Sequence, residues 1–144
     1  MDFNLDDLLE EMEAPQEFAT GKSSRGNSVY GISITYNHNG KRLTITKALA
    51  EKLGIEGQVY IALHRRTRRL ILAKELNRGT VYNYTSSSGK PVIYNSSLVE
   101  GIVYAFGIED IYENGKTSLS FHDVNFSDDD NIAFVKIPEV NKIQ

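Results

Sequence analysis

A strand, strand, short helix, hairpin order occurs twice along this chain, and that recurrence narrows the available folds more than any compositional figure does. In the first passage Tyr30, Ile32, Ile34 and Tyr36 alternate with Gly31, Ser33 and Thr35, the two-residue period of a half-buried strand. Asn39-Gly40 supplies a tight turn. Residues 41–46 form a second strand with Leu43 and Ile45 inward, and Thr46 caps a helix over 47–53 that Gly54 ends. A hairpin follows, with Val59, Ile61 and Leu63 on its outgoing arm, Leu70 and Leu72 on its return, and Arg65-Arg66-Thr67-Arg68-Arg69 at its tip.

The second passage repeats these marks. Thr80-Val81-Tyr82 echoes Ser28-Val29-Tyr30, Gly89-Lys90 echoes Gly40-Lys41, and Leu98 falls where Leu49 does. Ser96 or Ser97 caps a helix through Phe106 that ends at Gly107-Ile108, as the first ends at Gly54-Ile55. A turn at Asn114-Gly115 and a hairpin pairing 117–124 with 132–137 across Asp128-Asp129-Asp130 complete the copy. The expected organisation is an N-terminal arm and linker over 1–27, a first repeat over 28–79 and a second over 80–144, the two repeats forming one compact domain. The class is mainly β with short helices, α+β.

The arm has its own pattern. Leu5, Leu8, Leu9 and Met12 fall on one helical stripe among Asp and Glu, with Asn4 as N-cap, Phe3 placed to staple onto Leu8, and Pro15 as the stop. About ten residues make too short a helix to stand alone in water, so the stripe needs a surface: its own domain, a second copy or another protein. Residues 14–27 read as a tether.

Charge is segregated along the 144 residues. Positions 1–20 carry −7, 21–100 carry +9 and 101–144 carry −5, for a net of −3. A basic centre between acidic arms points to a polyanion-binding surface, or to a solvated face if folding interleaves the segments. The absence of cysteine excludes a disulfide framework, thiolate zinc and a Cys nucleophile. The acidic start, Met1 to Asp7, is unlike a signal peptide, and no apolar run approaches a membrane span, so the expectation is a soluble, cytoplasmic protein without membrane contact.

Within residues 31–75, Gly40-Lys41-Arg42-Leu43-Thr44-Ile45-Thr46, then Lys47-Ala48-Leu49-Ala50-Glu51-Lys52-Leu53-Gly54-Ile55, then the hairpin from Val59 to Lys74 resemble the AbrB/MazE/SpoVT family of swapped-hairpin DNA-binding domains. Two copies in one chain resemble the MraZ-like arrangement. The resemblance implies a pseudo-twofold swapped-hairpin β-barrel built from the two repeats, preceded by the helical arm. It also implies transcription regulation. Of the family's usual basic contacts Arg42 has a matching residue, whereas Ala50 and Glu51 stand where family members often carry arginine, and Thr46 replaces the family's proline.

The candidate DNA contacts are therefore Lys41, Arg42 and Lys47 on the strand and helix edge and Arg65, Arg66, Arg68 and Arg69, beside His64, at the tip. Guanidinium forks match phosphate oxygens. The bland reading of the tip is a solvated edge, or one that docks on the protein's own acidic arm. The run Asp128 to Asn131 lacks the spacing of a cation loop, and His38, His64 and His122 stand singly, as turn and surface residues. No metal, cofactor or catalytic residue is expected, and no enzyme motif is present. The expectation is a DNA-binding regulator, with homodimerisation open. The alternative is an antitoxin-like or inhibitory module that grips a protein partner through Leu5, Leu8, Leu9 and Met12.

Overall fold

A computed structural model describes residues 29–140; the arm and most of the tether lie outside the described residues. The elements run β1 (Ile32–Asn37), β2 (Gly40–Ile45), α1 (Lys47–Leu53), β3 (Gln58–His64), β4 (Arg69–Ala73), β5 (Thr80–Asn83), β6 (Thr85–Ser87), β7 (Lys90–Ile93), α2 (Ser96–Ala105), α3 (Glu109–Glu113), β8 (Ser118–Phe121), β9 (Val124–Phe126) and β10 (Ile132–Lys136). The strands form two antiparallel sheets of five. The first has the order β6-β7-β2-β1-β8 and the second β5-β3-β4-β10-β9.

Local chemistry explains the boundaries. β1 and β2 register Asn37 with Gly40, so the turn is His38-Asn39 where Asn39-Gly40 was expected. Asn37 shifts it, because its side-chain oxygen accepts the Asn39 N–H at 2.7 Å. The Thr46 hydroxyl accepts the Leu49 N–H at 3.3 Å and the Gly31 N–H at 3.1 Å, tying the start of α1 to the start of β1. At α2 the cap is Asn95, which accepts the Leu98 N–H at 2.9 Å, and the two serines that follow are already helical. Both helices end alike. Gly54 and Gly107 take φ of 72° and 66°, and the Ile55 and Ile108 amides return to the carbonyls of Ala50 and Val103.

Two further features depart from expectation. Residues 117–124 were expected as one arm of the last hairpin, but the run breaks at His122-Asp123: β8 joins β1 on the first sheet and β9 joins β10 on the second. The Asp123 carbonyl instead accepts the Lys136 N–H at 2.9 Å. Gly31 permits the crossing, since a Cβ there would lie 2.6 Å from the Phe121 carbonyl oxygen. The other departure is α3, absent from the sequence reading. It buries Tyr112, whose hydroxyl donates to the Ile34 carbonyl at 2.8 Å and whose pKa burial raises.

The main core lies between the sheets. Ile34, Leu43, Ile45, Leu70, Leu72 and Val135 meet there, and α2 adds Val99, Ile102 and Val103 as it packs on β1 and β2. Among the described residues no helix is long and apolar enough to cross a membrane.

Candidate nucleic-acid interface

Strand alternation decides which way each candidate cation faces. On β2, Leu43 and Ile45 turn to the core, so Arg42 and Thr44 turn outward. Thr35 of β1 stands opposite Arg42 and Ser33 opposite Thr44; Ser118 and Ser120 of β8 stand opposite Thr35 and Ser33 in turn. The hydroxyls bond across the ladder, Ser33 to Ser120 at 2.8 Å and Thr35 to Ser118 at 3.3 Å. Arg42 thus sits beside a bed of hydroxyls drawn from both halves of the chain. Sequence reasoning missed this bed. Its signal was present as the polar half of each alternating strand, but only the β1–β8 pairing unites the two rows.

Lys47 is exposed at the first position of α1, and its aliphatic stem lies by the Ser88-Gly89 turn that leads into Lys90. Lys41 goes elsewhere. It pairs with Glu100 of α2 at 3.7 Å, and its ammonium lies 5.6 Å from the Tyr36 ring centre. Tyr36 itself bonds the Tyr104 hydroxyl at 2.9 Å, and that bond pushes its pKa up to about 12. Lys41 and Tyr36 border a cleft of about 470 Å³ that also takes in His38, Tyr112 and Lys116.

The arginine tip is divided by the fold. Arg65 and Arg66 are exposed on the turn. Arg68 was expected to face phosphate, but it is turned inward: φ is 58°, Nε donates to the Ile137 carbonyl at 2.8 Å, and Nη2 donates to the carbonyls of Phe106 and Pro138 at 2.7 and 2.9 Å. Its guanidinium also lies 5.6 Å from the Phe106 ring centre. Phe106 is the C-cap of α2, where the carbonyls and the helix dipole both favour a cation. His64, read from sequence as a surface residue, is buried. Its Nδ1 accepts the Thr67 N–H and lies 2.7 Å from the Thr67 hydroxyl, which shapes the turn. Arg69 lies on β4 directly opposite Lys136 of β10, and both Arg66 and Arg69 are already engaged in contacts.

At the acidic tip, Asp129 accepts the Ser127 hydroxyl at 2.8 Å, the Asn131 N–H at 3.2 Å and the Asn131 side-chain amide at 3.0 Å. The Ser127 bond first, and the Asn131 bonds with it, hold the carboxyl below its ordinary 3.8. Its oxygens serve the turn. His122 donates from Nδ1 to the Tyr30 carbonyl at 3.1 Å. Among the described residues no three His, Asp or Glu side chains gather where they would hold a metal. No protein-family model matches the chain, and neither a curated protein nor a solved structure shows significant similarity to it.

Proposed function

We propose that this protein is a non-enzymatic regulator that binds duplex DNA through the outward face of the first sheet, with the exposed arginines of the β3–β4 turn as a second contact. The observation that carries it is Arg42 on the same outward row as the Ser33, Ser118 and Ser120 hydroxyls, a guanidinium fork and neutral donors suited to phosphate oxygens. Lys47 and Lys90 add positive charge along the same side. Arg42 is also the residue that matches a basic contact of the AbrB/MazE/SpoVT domains.

The proposal includes their pseudo-twofold, swapped-hairpin barrel. Its support is an exchange pattern in the ladders. If β1, β2, β3 and β4 correspond to β5/β6, β7, β8/β9 and β10, then the β1–β2 and β3–β4 hairpins correspond to β6–β7 and β9–β10, the β1–β8 pairing to β5–β3, and the β2–β7 and β4–β10 pairings each map onto themselves. Each hairpin then lies against strands of the other repeat. The alternative, a protein-binding module worked by Leu5, Leu8, Leu9 and Met12, rests on residues outside the described part of the chain.

The test is fluorescence anisotropy of the full chain on a random-sequence duplex across a salt series. Arg42→Ala with Lys47→Ala is expected to weaken binding and to flatten the slope of log affinity against log salt by about one unit for each phosphate contact removed, roughly two in all. Arg65→Ala with Arg66→Ala should act the same way. Parental affinity and slope in both double variants would overturn the proposal.

A further inference from the structure

The two longer helices begin differently. At α1 the Thr46 hydroxyl accepts both the Leu49 and the Gly31 N–H groups, which ties the helix start to the start of β1. At α2 the Asn95 side chain accepts the Leu98 N–H alone, and a groove of about 390 Å³ opens between α2 and the chain entering β5. Its floor is aliphatic, made by the buried side chains of Ile61 on β3 and Leu98 and Ile102 on α2. Thr80, opposite Ile61 on the neighbouring strand, forms one wall, and Ser97 and Gly101 of α2 form the other. Gly101 is the informative residue. Nothing lies within 4 Å of the place its Cβ would take, and its backbone is ordinary helix, so neither a close approach nor a left-handed turn calls for glycine there. Glycine weakens a helix interior, and what it yields here is width in the groove. The one charged residue in the lining is Arg78, which is exposed, and among the described residues no carboxylate pairs with it.

We propose that this groove binds a small amphipathic carboxylate, its apolar body lying over Ile61, Leu98 and Ile102 and its carboxylate held by the Arg78 guanidinium, with the Thr80 and Ser97 hydroxyls as further donors. Three features choose this ligand. The first is size and composition: an apolar floor with a few polar groups at its edge is the usual make-up of a small-molecule site, and the volume lies near the low end of the roughly 300–1,000 Å³ such sites span. The second is the floor itself. Hydrocarbon laid on Ile61, Leu98 and Ile102 leaves water favourably, whereas a polar body would give up its hydration to side chains that offer it no hydrogen bond. The third is charge. A guanidinium with no acid beside it in the lining matches a carboxylate in two parallel hydrogen bonds and repels a cationic amphiphile of the same shape. None of these residues is among the DNA contacts proposed above, so the two readings stand or fall separately.

Octanoate is the probe, titrated into the full chain with isotope-labelled Ile and Leu methyl groups. It is expected to shift Ile61, Leu98 and Ile102 saturably and to leave Ile71, in a separate cluster with Phe134, unmoved. Octanol, the same body without the charge, should bind about tenfold more weakly, the difference that one charge-assisted contact makes, and Arg78→Ala should weaken octanoate by the same factor. Gly101→Leu fills the groove with a residue the helix prefers, so it should abolish the shifts while the urea midpoint stays at or above the parental one. Shifts that are absent, fail to saturate or centre on other methyls would overturn the proposal. So would octanol binding as tightly as octanoate, or parental octanoate affinity in Arg78→Ala or in folded Gly101→Leu. Should Gly101→Leu unfold, the octanol comparison and Arg78→Ala decide by themselves.

Discussion

The two hairpin tips are built alike and held differently. Each turns through one residue with positive φ, Arg68 at 58° and Asp130 at 63°, and each sets that residue against the C-terminal turn of the helix in the other half of the chain. Arg68 reaches the carbonyls at the end of α2 and in the strap beyond β10 directly. Asp130 meets α1 through Lys52 at 3.5 Å, in a pair whose side chains are 33% and 56% exposed for lysine and aspartate. The difference follows from donor chemistry. The end of α2 and the strap beside it offer carbonyl oxygens, three of which one guanidinium bonds, whereas a carboxylate has no proton to give a carbonyl and pairs with a cation instead. The sign of the charge therefore sets how a tip is anchored, and the basic tip is the one bonded directly to backbone.

Arg68→Ala tests that contrast most severely. Losing a partly buried guanidinium from three carbonyls should lower unfolding stability by about 3 kcal/mol, since charged hydrogen bonds contribute about 1.5–3 each and are not additive. Arg68→Lys should recover only part of it, because an ammonium lacks the fork. Urea unfolding with an unchanged m-value reads both, and a loss below about 1 kcal/mol would mean that the tip is anchored by something else. His64→Ala comes next, at about 2 kcal/mol in the same assay, from a lost buried side chain and an unpaired Thr67 amide. At the acidic tip Asp130→Ala should cost about 1 kcal/mol, and Asp130→Gly within about 0.5, because glycine restores the positive φ that alanine resists and an exposed pair contributes little. A large effect of the glycine variant would make the Lys52 pair a true anchor.

The smallest effect is one of pH. The Asp129 carboxyl is held below 3.8 in the fold, so its contribution is fully present above the unfolded value and is lost as pH falls through the lower folded midpoint. Carboxyl NMR titration should place that midpoint under 3.8. Ser127→Ala should move it upward, and an unmoved midpoint would deny Ser127 its part.

Much of the first half was legible because its signals are short-range. Alternation from Ile32 to Ile45, the Thr46 cap, Gly54 and the Val59 to Leu72 pattern each act within a few residues, and β1 through β4 lie where they indicate. The second half was harder to read. Asn95, Ser96 and Ser97 all make good caps, so the first of the three was mistaken for a preceding residue, and α3 has too few residues to announce a period. The candidate site was legible only in part. Arg65, Arg66, Arg68 and Arg69 are the same residue type in one run, and nothing local separates the two that face outward on the turn from the one that bonds the Phe106 carbonyl.

The sequence by itself determined where strands, caps and turns begin, because those preferences arise from a residue's own backbone and its nearest neighbours. The tertiary structure alone decided the partner of each strand, and with it the neighbours of each side chain. A ladder can join Ser33 to Ser120 as readily as two residues across a turn, so the hydroxyl bed beside Arg42, the inward turn of Arg68 and the groove between α2 and β5 exist only once the sheets have assembled.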